Sequence, residues 1–597
     1  MTATSPLPEW DLGHLYAGPD DPALGRDLDG AERAARAFAD TYKGKLEVLD
    51  GAALGRAIAE YEAFTDTLHR AMSYGQLLFA VNTADPEVSR FHQTLQERVT
   101  DISTVSLFFT LEINRLDDAA LARMLEDPAA AKYRPWLEDV RQYRPHQLSD
   151  EMEQLLHEKS VAGRSAWSRL FDETFADMRF DVEGVGDGLT ESETLNLLSD
   201  PDPVKRKAAA KGFGTVLGEN VRLLALITNT LAKDKEIEDR WRKFARPVSE
   251  RNLANQVEDE VVDALVAAVR ASFADLAHRY YALKAKWFGK AALEYWDRNA
   301  PLPDDDAKKY SWDEARALVL DAYRAFDPAM ADVAQRFFDG RWIDAGPRAG
   351  KDSGAFSHPV TPSAHPYILM NFHGKARDVM TLAHELGHGV HQVLAAGQGT
   401  LMADTPLTTA ETASVFGEML TFRKMVDGET NPKRRRVLLA GKVEDMLNTV
   451  VRQIAFHEFE RRVHDERRTG ELSAVRLGEI WLDVQGESLG PSIRFEDEYK
   501  YYWAYIPHFV HTPFYVYAYA FGDCLVNSLY GVFAAGHAGF QAKYLDMLAA
   551  GGTKRHRELL APFGLDAGAP DFWRTGLGVV SGFIDELEAM ERASGTS

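Results

Sequence analysis

Apolar residues recur at intervals of three and four along most of the chain, so the spacing predicts helices, with 51–79 and 221–244 as long Ala-, Leu-, Glu- and Arg-rich examples. Few stretches alternate as strands do. The helical pattern runs from about residue 22 to 290, broken by the Gly- and acid-rich 179–196 (RFDVEGVGDGLTESETLN) and by SDPDP at 199–203. These breakers predict a lobe boundary near residue 200, with an N-terminal helical lobe over 1–200 and a second region over 201–597. Another breaker, NAPLPDDD at 299–306, precedes a helical stretch reaching Phe338. The texture then changes. Residues 341–372 are rich in Gly, Pro and Ser and hold two short apolar runs, 356–360 and 367–372, which predict a small sheet beside the helices. Helical patterning resumes at Ala376 and continues almost to the end, with one aromatic-rich break near 499–512. The expected fold class is mainly α. No internal repeat or low-complexity tract is visible.

Composition narrows the function. Among 597 residues, 68 Lys and Arg stand against 91 Asp and Glu, a net charge of −23, and 45% are hydrophobic. Without a Lys/Arg-dense segment such a chain lacks the clustered charge that phosphate backbones require, which argues against nucleic acid and against an anionic membrane surface. The lone cysteine, Cys524, excludes an internal disulfide and a thiolate metal cluster. The amino-terminal residues lack a basic start followed by an apolar run, and no uncharged stretch of about 20 apolar residues occurs, so the expected address is the cytoplasm.

Residues 378–394 read DVMTLAHELGHGVHQVL and contain H-E-x-x-H at 384–388. On a helix His384 and His388 lie one turn apart on one face, where two imidazole nitrogens can converge on one Zn²⁺. Glu385 is offset by about 100°, which suits a general base acting on a water at the metal. The bland alternative is a pair of half-buried helix histidines beside a solvated glutamate. Gly387 and Gly389 weaken it: each costs a helix about 1 kcal/mol relative to alanine. Their presence predicts another backbone close to this face, as a substrate groove would require.

A catalytic site needs a third protein ligand and one open position. His391 lies on the same stripe, but three ligands along about 10.5 Å of one helix cannot surround an ion, so it is expected just behind the ligands or in a cleft wall. Glu411, in TTAETASVFGE, is the other candidate, although Thr408-Thr409-Ala410-Glu411 also fits a capping box in which Glu411 only closes a helix start. Glu418, two turns on, is placed to accept the outer N–H of a ligating histidine, with a solvated surface carboxylate as the alternative. Asp378 reads as a first-turn acid favoured by the helix dipole.

Between Tyr499 and Tyr519 (YKYYWAYIPHFVHTPFYVYAY), ten of twenty-one residues are aromatic. Such a stripe is usually core, but this many phenols and imidazoles would all need partners if buried, so a cleft wall is expected. Acyl chemistry at a metal needs donors where the tetrahedral oxyanion grows. His508, Tyr515 and Tyr519 are the candidates. Tyr515 and Tyr519 share a helical face while Tyr517 points away, and His511 competes for the role of His508 and for substrate contact.

These residues resemble the oligoendopeptidase F and thimet oligopeptidase family of zinc metallopeptidases, its oligoendopeptidase F branch more closely. The resemblance runs through WDLGHLY at Trp10, RWIDAGPRAGKDSGAFS at Arg341, PYILMNFHG at Pro366, the H-E-x-x-H helix, AETASVFGE at Ala410, PHF at Pro507 and FYVYAYA at Phe514. It implies that His384, His388 and Glu411 hold one Zn²⁺ per chain and that Glu385 is the general base. It further implies a two-lobed helical ellipsoid with a deep channel, where Tyr367, Ile368 and Leu369 form an edge strand holding peptide backbone. The expected activity is hydrolysis of internal bonds in short or unfolded oligopeptides. A helical zinc carboxypeptidase would use the same metal set, and a non-catalytic peptide-binding protein that keeps zinc would have no use for Glu385. The sequence specifies no oligomeric state.

Overall fold

The computed structural model of the chain describes residues 7–594 apart from 84, 161, 304–307, 349 and 353. It divides into two compact units, each assembled from three segments: 1–144, 307–428 and 536–565 in the first, and 145–306, 429–535 and 566–597 in the second. Both are predominantly helical, as the periodicity predicts.

The boundary expected near residue 200 falls inside the second unit. The Gly- and acid-rich stretch that suggested it is a hairpin, Phe180–Val182 paired with Gly186–Leu189, followed by the short helix Glu191–Asn196. Its turn residues serve a local reversal, and both pieces pack on the forty-residue helix Pro203–Arg242, which Asp202 caps. The chain crosses between units at other points, one of them at the end of the NAPLPDDD breaker of 299–306.

In the first unit, helices Pro22–Tyr42, Gly51–Ala80 and Pro86–Ser106 pack together. Helices Trp312–Phe326 and Pro328–Asp339 form a hairpin: a Ser311/Glu314 capping box starts one and Asp327 caps the other ahead of its N-terminal proline. Against them lies the helix Ala376–Ala395, which carries the H-E-x-x-H motif and buries Val379, Leu382, Ala383, Leu386 and Val390 along one stripe. Asp378 accepts the backbone N–H groups of His373 (2.7 Å) and Lys375 (2.9 Å), the terminal role expected of it.

The small sheet is present beside this helix, with three strands instead of two: Ile343–Asp344, Tyr367–Leu369 and Phe356–His358, in that spatial order. The strand expected at the edge is therefore the central one. Tyr367–Leu369 pairs in parallel with Ile343–Asp344 and antiparallel with Phe356–His358, and its three residues are fully buried. Tyr367, Ile368 and Leu369 thus have neither backbone edge nor side-chain surface to offer a peptide. The outer strand is Phe356–His358, and Gln392 of the motif helix fastens it, bonding the Ser357 hydroxyl at 2.9 Å and its carbonyl at 3.0 Å.

In the second unit, helix Pro203–Arg242 backs the aromatic 3₁₀ segment Asp497–Tyr505. Gly214 and Gly218 allow the approach, since a Cβ at either would meet Glu498 or Tyr501 within 3 Å. The Tyr502 hydroxyl donates to the Ala210 carbonyl at 2.9 Å. Helix Tyr517–Ala534 packs on Pro570–Ser594, and Val451–Arg467 on Ala474–Leu489. Among the described residues no helix is long and apolar enough to cross a membrane.

One buried ion pair anchors the start of the long helix. Arg206 (2% exposed) donates to Asp297 (0%) at 2.8 Å and to the carbonyls of Asp200 and Pro201, while Lys290 also reaches Asp297. Removing one partner of a buried pair leaves the other desolvated without compensation and costs about 3–5 kcal/mol. Arg206→Met is therefore expected to lower the urea midpoint of the protein; an unchanged midpoint would show that the pair is not a stabilising anchor.

Candidate active site

His384 and His388 stand one turn apart on the motif helix, and their Nε2 atoms lie 3.4 and 3.5 Å from the same carboxylate oxygen, Oε2 of Glu411. One ligating atom from each residue falls within 4.8 Å of the others, and among the described residues this is the group of three that could hold a metal ion. Two imidazole nitrogens and one carboxylate oxygen, all half-buried, match the donor set that zinc takes when a position stays open for catalysis.

The capping-box alternative for Glu411 is not realised. The single turn Leu407–Ala410 starts without a side-chain cap, Glu411 ends it, and the next helix, Ser414–Gly428, begins three residues later. Glu411 thus sits in a break between helices, its side chain free to aim at the histidines. The Ser414 hydroxyl donates to its Oε2 at 2.7 Å. Ser414 was not singled out by sequence; its place three residues after the glutamate is the only local signal.

Glu418 takes the part expected for it: its Oε2 lies 3.3 Å from His384 Nδ1, which directs Nε2 toward Glu411 and fixes the ring. Burial disfavours charge on His384, but the bond to Glu418 and the fields of Glu411 and Glu385 raise its pKa to about 9. Burial acts against ionisation of Glu411 too, and His388, His384 and Ser414 outweigh it, bringing the pKa to about 2. Three carboxylates around two imidazoles make a strongly cation-seeking site. Glu385 is 6% exposed, and burial raises its pKa against the pull of the two histidines.

His391 is buried behind the ligands, and its ring hydrogen-bonds the Ala410 carbonyl, next to Glu411. Burial lowers its pKa to about 4, which leaves the ring neutral at pH 7.

The two glycines have a different purpose from the substrate groove expected of them. A Cβ at Gly387 would lie 2.4 Å from the Ala413 carbonyl oxygen and 2.5 Å from Ser414 Cα. One at Gly389 would lie 2.4 Å from the Phe337 ring. The bare helix face admits neighbouring protein, and at Gly387 that neighbour is the backbone carrying Glu411. Tyr323 completes the junction. Its hydroxyl donates to the Ala383 carbonyl at 2.5 Å and occupies the space where a Cβ on Gly417 would be.

Within the second unit, His508, Tyr515 and Tyr519 form a cluster. His508 Nε2 lies 3.2 Å from the Tyr519 hydroxyl, and the Tyr515 ring is 5.9 Å from His508 and 5.3 Å from Tyr519, centroid to centroid. All three are half-buried. The helix begins only at Tyr517, so Tyr515 lies in the loop before it, next to Phe514 with φ +60°. Tyr517 points away as expected, fully buried, its hydroxyl accepting from Asn255 at 2.9 Å. His511 is exposed and paired elsewhere, its Nε2 lying 2.8 Å from Asp172. Much of the expected cleft wall is core. Tyr499, Tyr502 and Trp503 are buried, and the two phenols find Gln485 and Ala210 as partners.

A helix-borne imidazole pair with a carboxylate from the next segment and a buried glutamate between the ligands defines the metallopeptidase class. Comparison with known proteins gives the group within it. The model of peptidase family M3 matches residues 196–579, and that of its companion, oligopeptidase F, matches 112–180. The chain belongs to peptidase family M3. Oligopeptidase PepF of Bacillus subtilis is 26% identical over 97% of this chain and 87% of its own length. Group B oligopeptidase PepB of Streptococcus agalactiae is 27% identical over 85% of each chain. The fold also matches a Chlamydophila abortus chain provisionally assigned as a peptidase (TM-score 0.86, 22% identity, 99% of both chains) and oligoendopeptidase F of Enterococcus faecium (TM-score 0.70, 20% identity, 96% of this chain and 98% of that one).

Adding one methyl group at position 387 should weaken the site without touching a ligand. Gly387→Ala is expected to lower metal affinity about 10- to 100-fold, the range typical for disturbed ligand supports. Competition against a chromogenic chelator measures it, and an affinity equal to that of the unmodified protein would refute the role given to the glycine.

Proposed function

We propose that the chain is a zinc endopeptidase that cuts internal bonds of short or unfolded oligopeptides, with all its chemistry in the region 201–597. The observation that carries this reading is the convergence of His384, His388 and Glu411 on one point, with Glu385 buried on the same helix. Zn²⁺ held by those three residues supplies Lewis acidity that lowers the pKa of water and polarises the scissile carbonyl. Glu385 takes the proton from the attacking water and passes it to the leaving amine. Glu418 holds the His384 tautomer, and His391 holds the Ala410 carbonyl beside Glu411. His508, Tyr515 and Tyr519 supply the hydrogen-bond donors that steady the oxyanion; their mutual contacts and partial exposure support that role. The buried lone cysteine and the absence of a disulfide framework support a cytoplasmic location.

Glu385→Gln keeps the ligands and removes the base. Metal content should stay at one equivalent while cleavage of a nine-residue peptide falls by about 100-fold or more. Mass spectrometry of the products should show internal cuts that are indifferent to amidation of the peptide terminus. Native turnover in the variant, or cuts confined to the last residue of the free-acid peptide, would sink this reading.

A further inference from the structure

The loop joining helix His508–His511 to helix Tyr517–Ala534 carries Tyr515, and it is held from several sides. Arg164 donates to the carbonyls of Val510 (3.2 Å) and His511 (3.0 Å). Arg251 donates to the Pro513 carbonyl (3.3 Å), with its guanidinium 6.0 Å from the Tyr515 ring centre. At the centre is Phe514, a left-handed residue (φ +60°) that is fully buried. An aromatic side chain disfavours that backbone, which persists only where its surroundings enforce it.

The enforcing group is Glu460. Its Oε1 accepts the Phe514 N–H at 2.8 Å, and the carboxyl is 2% exposed. Its other oxygen is buried with no hydrogen-bond partner. His457 and His464, three residues before it and four after it on helix Val451–Arg467, flank the Phe514 ring at 5.8 and 4.9 Å. One stripe of that helix therefore cradles the side chain and bonds the backbone of a single strained residue. Burial moves the Glu460 pKa up to about 8, against the pull of the Phe514 N–H, Arg251 and Lys235. The group acts as a neutral hydrogen-bond acceptor at neutral pH, a role an amide can copy.

We propose that Glu460 is a positioning residue for Tyr515: by holding the Phe514 N–H it keeps the loop in its left-handed turn and so fixes the Tyr515 ring against His508 and Tyr519. This rests on the reading of Tyr515 as an oxyanion donor. A buried carboxyl with one unmet oxygen is costly to keep in a protein interior, and a leucine of similar volume would fill the space without that cost. Glu460 therefore acts through the bond it makes.

The test is steady-state kinetics of the metal-loaded enzyme on a fluorogenic peptide, with Tyr515→Phe, Glu460→Leu, Glu460→Gln and the double variant Glu460→Leu/Tyr515→Phe. Tyr515→Phe should lower kcat about 100-fold, the scale of losing one oxyanion donor. Glu460→Leu should lower kcat about tenfold or more with KM within about twofold, and the double variant should be no slower than Tyr515→Phe alone. Glu460→Gln should keep kcat within about twofold, because its amide oxygen accepts the same N–H. If Tyr515→Phe is as fast as the unmodified enzyme, the donor reading itself fails. If Tyr515→Phe is slow but the Glu460→Leu loss multiplies onto it, or is absent, Glu460 does not act through Tyr515. Should the leucine variant fail to fold, Glu460→Met takes its place beside Glu460→Gln: a kcat about tenfold below that of the glutamine variant upholds the proposal, and equal kcat in the two, or a loss beyond about fivefold in Glu460→Gln, overturns it.

Discussion

The catalytic arrangement depends on how closely two pieces of backbone approach. At Gly387 the motif helix has no side chain, and the Ala413–Ser414 backbone lies where one would be. Only from that distance does the short Glu411 side chain bring its carboxylate to both Nε2 atoms. A glycine in a helix interior costs about 1 kcal/mol relative to alanine, and two within three residues double that cost. The helix is kept by the stripe from Val379 to Val390, which buries five apolar side chains, and by Asp378 at its start. Stability from packing thus permits a locally unfavourable sequence where the chemistry needs it.

Around this contact each support touches a ligand or its backbone. Glu418 orients the His384 ring, Ser414 bonds the Glu411 carboxylate, His391 bonds the carbonyl before Glu411, and Tyr323 bonds the Ala383 carbonyl before His384. Side chains held this way are organised in advance, so little ordering would be left to oppose binding of an ion. The same logic appears in the second unit. There Glu460, Arg251 and Arg164 hold one turn from three different helices, and the half-buried phenols and imidazole beside it inherit their geometry from it.

What could be read from the sequence follows from how local each signal is. The imidazole pair, the glutamate between them and the helical face the histidines share are set by spacing within one turn, and the two rings do converge on one carboxylate. The breaks and apolar runs of 341–372 announced a sheet, but the two-residue strand Ile343–Asp344 is too short to alternate visibly, and it is this strand that makes Tyr367–Leu369 central where the resemblance implied an edge. Glu411 could not be separated from a cap by local pattern, because Thr408 to Glu411 satisfies both; its direction is decided by a break that only the packed neighbour imposes. The glycines announced another backbone close to the helix, which Gly387 has, but not that it would be the chain's own Ala413–Ser414 segment. In the aromatic segment the bland expectation held for Tyr499, Tyr502 and Trp503, which are buried, and the two phenols find their partners, Gln485 and Ala210, on other elements of the fold. Glu460 carried no signal at all, being one acid in a polar helix until the fold lays Phe514 against it.

The most direct measurement of the central claim is X-ray absorption at the zinc edge on the purified, zinc-loaded protein. Nitrogen and oxygen neighbours at about 2.0–2.1 Å, with the outer-ring scattering of two imidazoles, are expected, and the two-imidazole signature should halve in His388→Ala. A sulfur neighbour, or an imidazole count unchanged by that substitution, would contradict the site built by His384, His388 and Glu411.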